Sequence, residues 1–333
     1  MSPLGRTTLK ELATMASVTP STVSRVLNDP AGTETKWASP ETAQRMIDLA
    51  RETGYVKNPH AASLRTKRSG LIGVLFPRLN DYVYSAMYEG VDKYATAHSY
   101  FAMVTTSHDD AELRDQRIHQ LLDRRVDGIL LSDALLDDPV IVELQEREFP
   151  LVVVNRRSGS ALSCASDDRR GGYLMGEHFL RQGYESIGII TAGESISTSL
   201  DRQDGFLAAL QDGGFDMSAV TIVHKGFSVE DGEDGVQELL AKDPAPRAVF
   251  AVNDQSAIGA IGAIRGRGLR VPEDLAVAGY NDTPLARALG LTTVSTPLHE
   301  VGSQAVQMLE CLFRKEEVSS VILPVELIVR ATA

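Results

Sequence analysis

Residues 7–28 read TTLKELATMASVTPSTVSRVLN, and they spell two short capped helices. Thr8 followed three residues on by Glu11 is a capping pair, in which hydroxyl and carboxylate each satisfy a free backbone N–H at a helix start. Leu9, Leu12, Ala13 and Ala16 then recur at i, i+3, i+4 and i+7, which gives one apolar stripe on a short helix. Such a helix must pack against something. After a break at Ser17-Val18, Thr19 caps a second helix and Pro20 takes its first position, where a missing N–H costs nothing. Val23, Val26 and Leu27 face inward, and Pro20, Ser21, Thr22, Ser24, Arg25 and Asn28 face outward.

That outer face suits a DNA major groove. Its small side chains allow close approach, Thr22 and Ser24 can bond phosphates, and Arg25 is long enough to reach a guanine edge. A small helical hairpin with a polar outside is the competing reading. Ser39-Pro40 repeats the cap-and-proline start, Ala43, Met46, Ile47 and Ala50 give a third stripe, and Gly54 is placed for a C-terminal cap. Three helices can then share one small core.

TLKELA, VTPSTVSRVLN, a helix ending ETGY, and ASLRTKRSGLIGVLFP together resemble the lactose/galactose-repressor (LacI/GalR) family of bacterial transcription regulators. The resemblance runs over essentially the whole chain. It implies that Pro20, Ser21 and Arg25 read bases and that Thr19, Thr22, Ser24 and Asn28 sit at or near the DNA backbone. Two departures stand out: Ser17 replaces a usual glycine, and residues 29–37 lengthen the loop before the third helix by about five. The only tryptophan, Trp37, lies in that loop and reads as a packing residue rather than a DNA contact.

Residues 55–69, YVKNPHAASLRTKRS, read as a hinge with a short helix over 59–64, too short to be stable alone. By the same resemblance Leu64 is a minor-groove wedge, and Arg65 beside it joins the DNA-binding set. Lys57 stands where the family usually has proline, and Ala62 where it usually has arginine.

At 333 residues the chain suggests two to three domains. Through Gly70 it holds ten Lys+Arg against six Asp+Glu, net +4, whereas the remainder holds 23 against 39, net −16. An overall charge of −12 argues against general polyanion affinity and confines DNA contact to the basic head. Cys164 and Cys311 cannot build a disulfide framework, and no Cys/His spacing suggests a metal. No cofactor is expected. Without a signal-peptide core or an apolar run of about 20 residues, a cytoplasmic protein with no membrane partner is expected.

From Gly70 onward LIGVLF, YFAMVTT, GILLS, PLVVVN, SIGIIT, VTIVHKG, AVFAVN, DLAVAGY, TTVST and ILPVELIVR alternate with helical patterns, as parallel sheets in βαβ units do. The fold class is therefore α/β: an all-α helix-turn-helix head over 1–57, a hinge over 58–69, and a body of two doubly wound parallel-sheet lobes over 70–333. The first lobe is expected over about 70–156 plus 285–320, taking TTVST, and the second over about 157–284 plus 321–333. The resembled family shares this two-lobe architecture with periplasmic sugar-binding proteins, and lobes of this kind take ligands at the C-terminal ends of their strands.

By the resemblance, Tyr84 and Phe227 are aromatic platforms, Arg202 holds ligand hydroxyls or a carboxylate, and Asp254 takes sugar hydroxyls; Asp81 and Asp167 are further candidates. An aromatic face with carboxylates and one arginine suits a polyhydroxylated ring. Asp254 also fits a helix cap, Tyr84 and Phe227 fit core aromatics, and Arg202 fits a structural ion pair. Catalysis finds no support: G-x-S-x-G, the phosphate-binding G-x-x-x-x-G-K-[ST] and H-E-x-x-H are all missing. The expectation is a repressor binding a near-palindromic double-stranded operator as a homodimer, controlled by a sugar-like effector. A nucleoside or purine effector is the alternative, against which Ile196 speaks, and control by a docked partner protein is another.

Overall fold

A computed structural model describes residues 7–29, 31–55, 68–242 and 246–333. These fall into two compact units, one up to Ser69 and one from Gly70. Leu64 and Arg65, with the short helix expected over 59–64, lie outside the described residues.

The first unit holds α1 (Leu9–Ala16), α2 (Pro20–Asn28), a 3₁₀ turn over Gly32–Glu34, and α3 (Pro40–Glu52). Its helix starts follow the sequence chemistry. Thr8 and Glu11 form the reciprocal cap, while the Thr19 hydroxyl accepts from the Thr22 N–H and the Ser39 hydroxyl from the Thr42 N–H. Ser17 ends α1 in the left-handed region at φ 58°, and the N–H of Val18 reaches back to the Ala13 carbonyl at 3.0 Å. Gly54 does the same for α3 at φ 62°, with Tyr55 bonded to Ala50 at 2.9 Å. Leu12, Ala13, Ala16, Val23, Val26, Ala43 and Met46 close one core.

The body contains two sheets of like order. The first runs β2 (Phe101–Thr106), β1 (Leu71–Phe76), β3 (Gly128–Leu131), β4 (Leu151–Val154), β5 (Ser163–Ser166), β11 (Val321–Leu323), all parallel. In the second, β7 (Val220–His224), β6 (Ile187–Thr191), β8 (Ala248–Ala251) and β9 (Ala276–Ala278) are parallel. Two bridges continue it from β9 to β10 (Thr293–Ser295), whose other edge pairs antiparallel with β12 (Glu326–Ile328). Both lobes thus use the 2-1-3-4-5 doubly wound order.

Helices cover both faces of each sheet. On the first sheet these are α4 (Tyr82–Ala97), α5 (Ala111–Asp123), α6 (Pro139–Glu146) and α12 (Leu298–Arg314). The second carries α7 (Asp168–Gln182), α8 (Ser197–Asp212), α9 (Val229–Leu240), α10 (Asp254–Gly266) and the short α11 (Pro284–Ala288). Three helix pairs approach so closely that backbone meets backbone. A Cβ on Gly90 would overlap the His299 carbonyl and one on Gly302 the Met87 carbonyl, and reciprocal glycines do the same at Gly172/Gly205 and Gly232/Gly259.

The lobe boundaries differ from the sequence expectation in three places. SCAS, absent from the expected strands, forms β5 and extends the first lobe past Arg156 to Ser166. TTVST lies in the second lobe beside β9, not in the first, because its apolar pattern fixes burial but not a partner. ILPVELIVR is two strands, β11 in the first lobe and β12 in the second. The chain therefore passes between lobes near Asp167, near Thr296 and near Pro324. The Asp167 N–H donates to the Leu323 carbonyl at 2.8 Å, which joins the first and third passages.

Candidate functional site

On the outer face of α2, the hydroxyl of Thr19 lies 2.8 Å from that of Ser21 and 2.9 Å from that of Thr22, a cluster at the exposed helix start. Farther along, the Asn28 amide donates to the Ser24 carbonyl at 2.6 Å. Pro20, Ser21, Arg25 and Asn28 are exposed, while Val23 and Val26 are buried beneath them. The Arg25 guanidinium carbon stands 4.5 Å from the centroid of the Trp37 ring. Among the described residues it makes no hydrogen bond, so its five N–H donors face solvent. This face can present hydroxyls and one fixed cation to a polyanion.

The second site is a cavity of about 200 Å³ between the lobes of the body. Every wall residue lies in the loop or first helical turn that follows a strand, the position a doubly wound sheet leaves open. Arg78, Asp81 and Tyr84 follow β1, Asp109 follows β2, and Arg156 follows β4; Gly193 and Ile196 follow β6, Lys225 and Phe227 follow β7, and Gln255 follows β8. Asp81 caps α4 through the Val83 N–H at 2.9 Å. Burial pushes its carboxyl above the ordinary range, against the pull of that N–H and of Arg78 and Arg202. Burial likewise raises the phenol of Tyr84, whose ring packs 5.5 Å from Phe76.

Arg156 is the least exposed cation on the wall. Its Nη1 donates to the Ala134 carbonyl at 3.2 Å and lies 3.5 Å from Asp133, which also accepts from the Ser107 hydroxyl. Its Nε has no hydrogen-bond partner among the described residues. Arg78 is paired with Asp109, and Lys225 with Glu238 at 2.9 Å. Opposite, the N–H of Leu136 donates to the Ser195 carbonyl at 2.9 Å, and Arg157 grips Asp201 through two bonds of 3.0 and 2.7 Å; both contacts run from the first lobe to the second.

The structure brings Asp81, Tyr84 and Phe227 together on the cavity wall. It sets Arg202, Asp254 and Asp167 behind it. Arg202 is buried, with Nε on Asp168 at 2.8 Å, Nη1 on the Val252 carbonyl at 2.8 Å, and its guanidinium carbon 3.9 Å from the Tyr280 ring centroid. Its charge adds to the pull that opposes burial at Asp81 across the cleft. Asp254 accepts from the Thr283 N–H and the Thr293 hydroxyl, both at 2.7 Å, and burial pushes its carboxyl up to about 6. Asp167 caps α7 through the Arg170 N–H at 3.0 Å.

Arg78, Asp109, Arg156, Lys225 and Gln255 also line the cavity without standing out in the sequence. Their signal is position alone: each lies within a few residues of a strand's C-terminal end, but so do many residues that face away.

Residues 8–58 match the sequence profile described as bacterial regulatory proteins, lacI family, and residues 69–331 match that of periplasmic binding proteins and sugar binding domain of LacI family. The chain is 32% identical over 308 residues to the ribose operon repressor of Haemophilus influenzae, covering 91% of this chain and 90% of that one. It is 29% identical over 334 residues to the transcriptional regulator DegA of Bacillus subtilis, covering 98% and 97%. Among solved structures, the lac repressor dimer bound to operator and the anti-inducer ONPF superposes with a TM-score of 0.86 at 26% identity, over 98% of this chain and 99% of that one. A complex of the regulator CelR with cellobiose gives 0.73 at 25% identity, over 98% and 100%.

Proposed function

The chain belongs to the lacI family of bacterial regulatory proteins, and from that premise we propose that it is a transcriptional repressor whose grip on an operator is set by a small molecule in its inter-lobe cleft. The reading rests on one observation: a single chain joins a head with a polar, arginine-bearing helix face to a body whose cleft is walled by strand ends. One head spans too few base pairs for specificity, so a two-fold dimer on a near-palindromic site supplies the second half. Thr19, Thr22, Ser24 and Asn28 would hold the DNA backbone, and Pro20, Ser21 and Arg25 would face the bases. Leu64 and Arg65 would follow in the minor groove. Such a protein works in the cytoplasm, where its DNA is.

The effector we assign is a small polyhydroxylated ring. Tyr84 and Phe227 offer it apolar faces, while Asp81 and Gln255 offer its edge hydrogen bonds. A cavity of about 200 Å³ lies below the roughly 300–1,000 Å³ of pockets that take drug-sized ligands, which favours one sugar ring over a larger nucleoside. Arg202, Asp254 and Asp167 would act from behind by holding the wall and its charge in place. Ligand and DNA are coupled only if the ligand prefers one lobe arrangement; a hundredfold change in operator affinity needs about 2.7 kcal/mol of such preference. The cleft binds and releases without turnover.

The test has two arms. Selection from random duplexes should recover a near-palindromic site, and a thermal-shift screen of sugars and nucleosides should give hits that change affinity for that site. No preference for any duplex at moderate ionic strength, with or without hits, would overturn the proposal. Response to nucleosides alone would move the effector to the other class, and turnover of any hit would make the cleft an active site.

A further inference from the structure

We propose that Trp37 is a positioning residue that holds Arg25 in the orientation needed to read a base. The inference rests on the assignment of base reading to Arg25. The guanidinium carbon stands 4.5 Å from the indole centroid. A cation over an aromatic face is attracted to it, and an arginine packed this way keeps its N–H edge free. The edge is what pairs with the two acceptors of guanine. A long arginine on an exposed helix otherwise samples many rotamers, and the complex must freeze them. Stacking on a fixed ring freezes them beforehand.

The backbone that carries the ring is itself held. Asp29, the residue that ends α2, accepts the Ala31 N–H at 3.1 Å through one carboxylate oxygen and the Thr35 hydroxyl at 2.6 Å through the other. Thr35 is buried, and its hydroxyl oxygen accepts the Trp37 backbone N–H at 3.3 Å. The Thr35 hydroxyl and the Ala31 N–H hold the Asp29 carboxyl below the ordinary carboxylate range, as expected of an acceptor fixed by its donors. Trp37 is thus tied to the end of the helix that carries Arg25. Its own side chain is 40% exposed and stands apart from the head's core of Leu12, Val23, Val26 and Met46. Packing that core is not its role. The Lys36 ammonium, 5.0 Å from the same centroid, adds a second cation to this corner.

Trp37 is the chain's only tryptophan, so its emission reports this contact directly. The experiment uses the full chain and the operator recovered by selection, with a control duplex changed at the base pair whose substitution Arg25→Ala ignores. Discrimination between the two should fall about 4- to 25-fold in Trp37→Ala, from about 2- to 5-fold for each of two heads. Trp37→Phe should retain most of it. In the Arg25→Ala background, Trp37→Ala should cost nothing more, because the two residues act as one unit. Arg25→Ala should also shift the tryptophan emission of the DNA-free protein. Full discrimination in Trp37→Ala while Arg25→Ala loses it would overturn the positioning role and leave the base reading standing. Equal losses from Trp37→Ala with and without Arg25, or emission indifferent to Arg25→Ala, would overturn it as well. If Arg25→Ala itself leaves discrimination intact, the base reading fails first.

Discussion

The carboxylate of Asp254, at the start of α10, accepts the Thr293 hydroxyl at 2.7 Å and so ties that helix to strand β10, thirty-nine residues later in the chain. Burial pushes this carboxyl from an ordinary 3.8 up to about 6. Below about pH 4 both folded and unfolded states keep the proton. Between about 4 and 6 only the folded state does, so stability is lost as pH rises through that window and is level above it. The stability difference between the protein and Asp254→Asn should change by roughly 2–3 kcal/mol between pH 4 and 7. Parallel pH curves in denaturant titrations would refute the assignment.

Arg157 and Asp201 close the lobes with a two-bond contact that is partly open to solvent. Pairs of this kind contribute about 0.5–1 kcal/mol. Asp201→Asn should therefore weaken effector binding roughly 2- to 5-fold by favouring the open arrangement. Small-angle scattering of the effector-free variant should show a larger radius of gyration, and unchanged affinity and size would rule the contact out as a latch.

Phe227 is half-buried on the cavity wall, and its backbone carbonyl is held by the Asn253 amide at 2.7 Å, so its side chain can be cut back without moving the loop. Phe227→Ala should weaken effector binding about tenfold, the equivalent of about 1.4 kcal/mol. Operator affinity without effector should be unchanged. Calorimetric titration with a screening hit decides it; wild-type affinity would remove Phe227 from the site.

Ser17 holds a left-handed conformation that side chains disfavour and glycine does not. Ser17→Gly should stabilise the head by about 0.5–1 kcal/mol. Urea unfolding followed by the emission of Trp37, which reports the head alone, should show a higher midpoint; a lower one would mean that flexibility in the unfolded chain outweighs the relieved strain.

Gly302 faces the Met87 carbonyl where α4 and α12 cross. Gly302→Ala should destabilise the body by about 1–3 kcal/mol through forced separation of two backbones. Calorimetry should show the body transition lowered, and an unmoved transition would show that the helices part freely.

How much of this was readable in the linear chain depends on where the information sits. Helix starts in the head are legible because Thr8-Glu11, Thr19-Pro20 and Ser39-Pro40 act on neighbours three residues away, and those caps form as written. Strands of the body are legible as buried apolar runs, but a run does not name its sheet, so TTVST and the last stretch are divided between lobes only by long-range pairing. SCAS is too short and too mixed to register. The cleft is legible as a place, and Asp81, Tyr84 and Phe227 on its wall are found by resemblance. Arg156 is not, because what marks it is an unpaired nitrogen, a property of packing. Trp37 reads as a packing residue; the structure shows the partner to be Arg25.

Three passages of chain join the lobes, and two of them are hydrogen-bonded side by side through Asp167 and Leu323. A ribbon of this kind flexes across its flat face far more readily than it twists or shears in its own plane. The lobes are therefore left with essentially one swing rather than a free swivel, and severing any one of the three connections should leave the halves fastened and still able to rock.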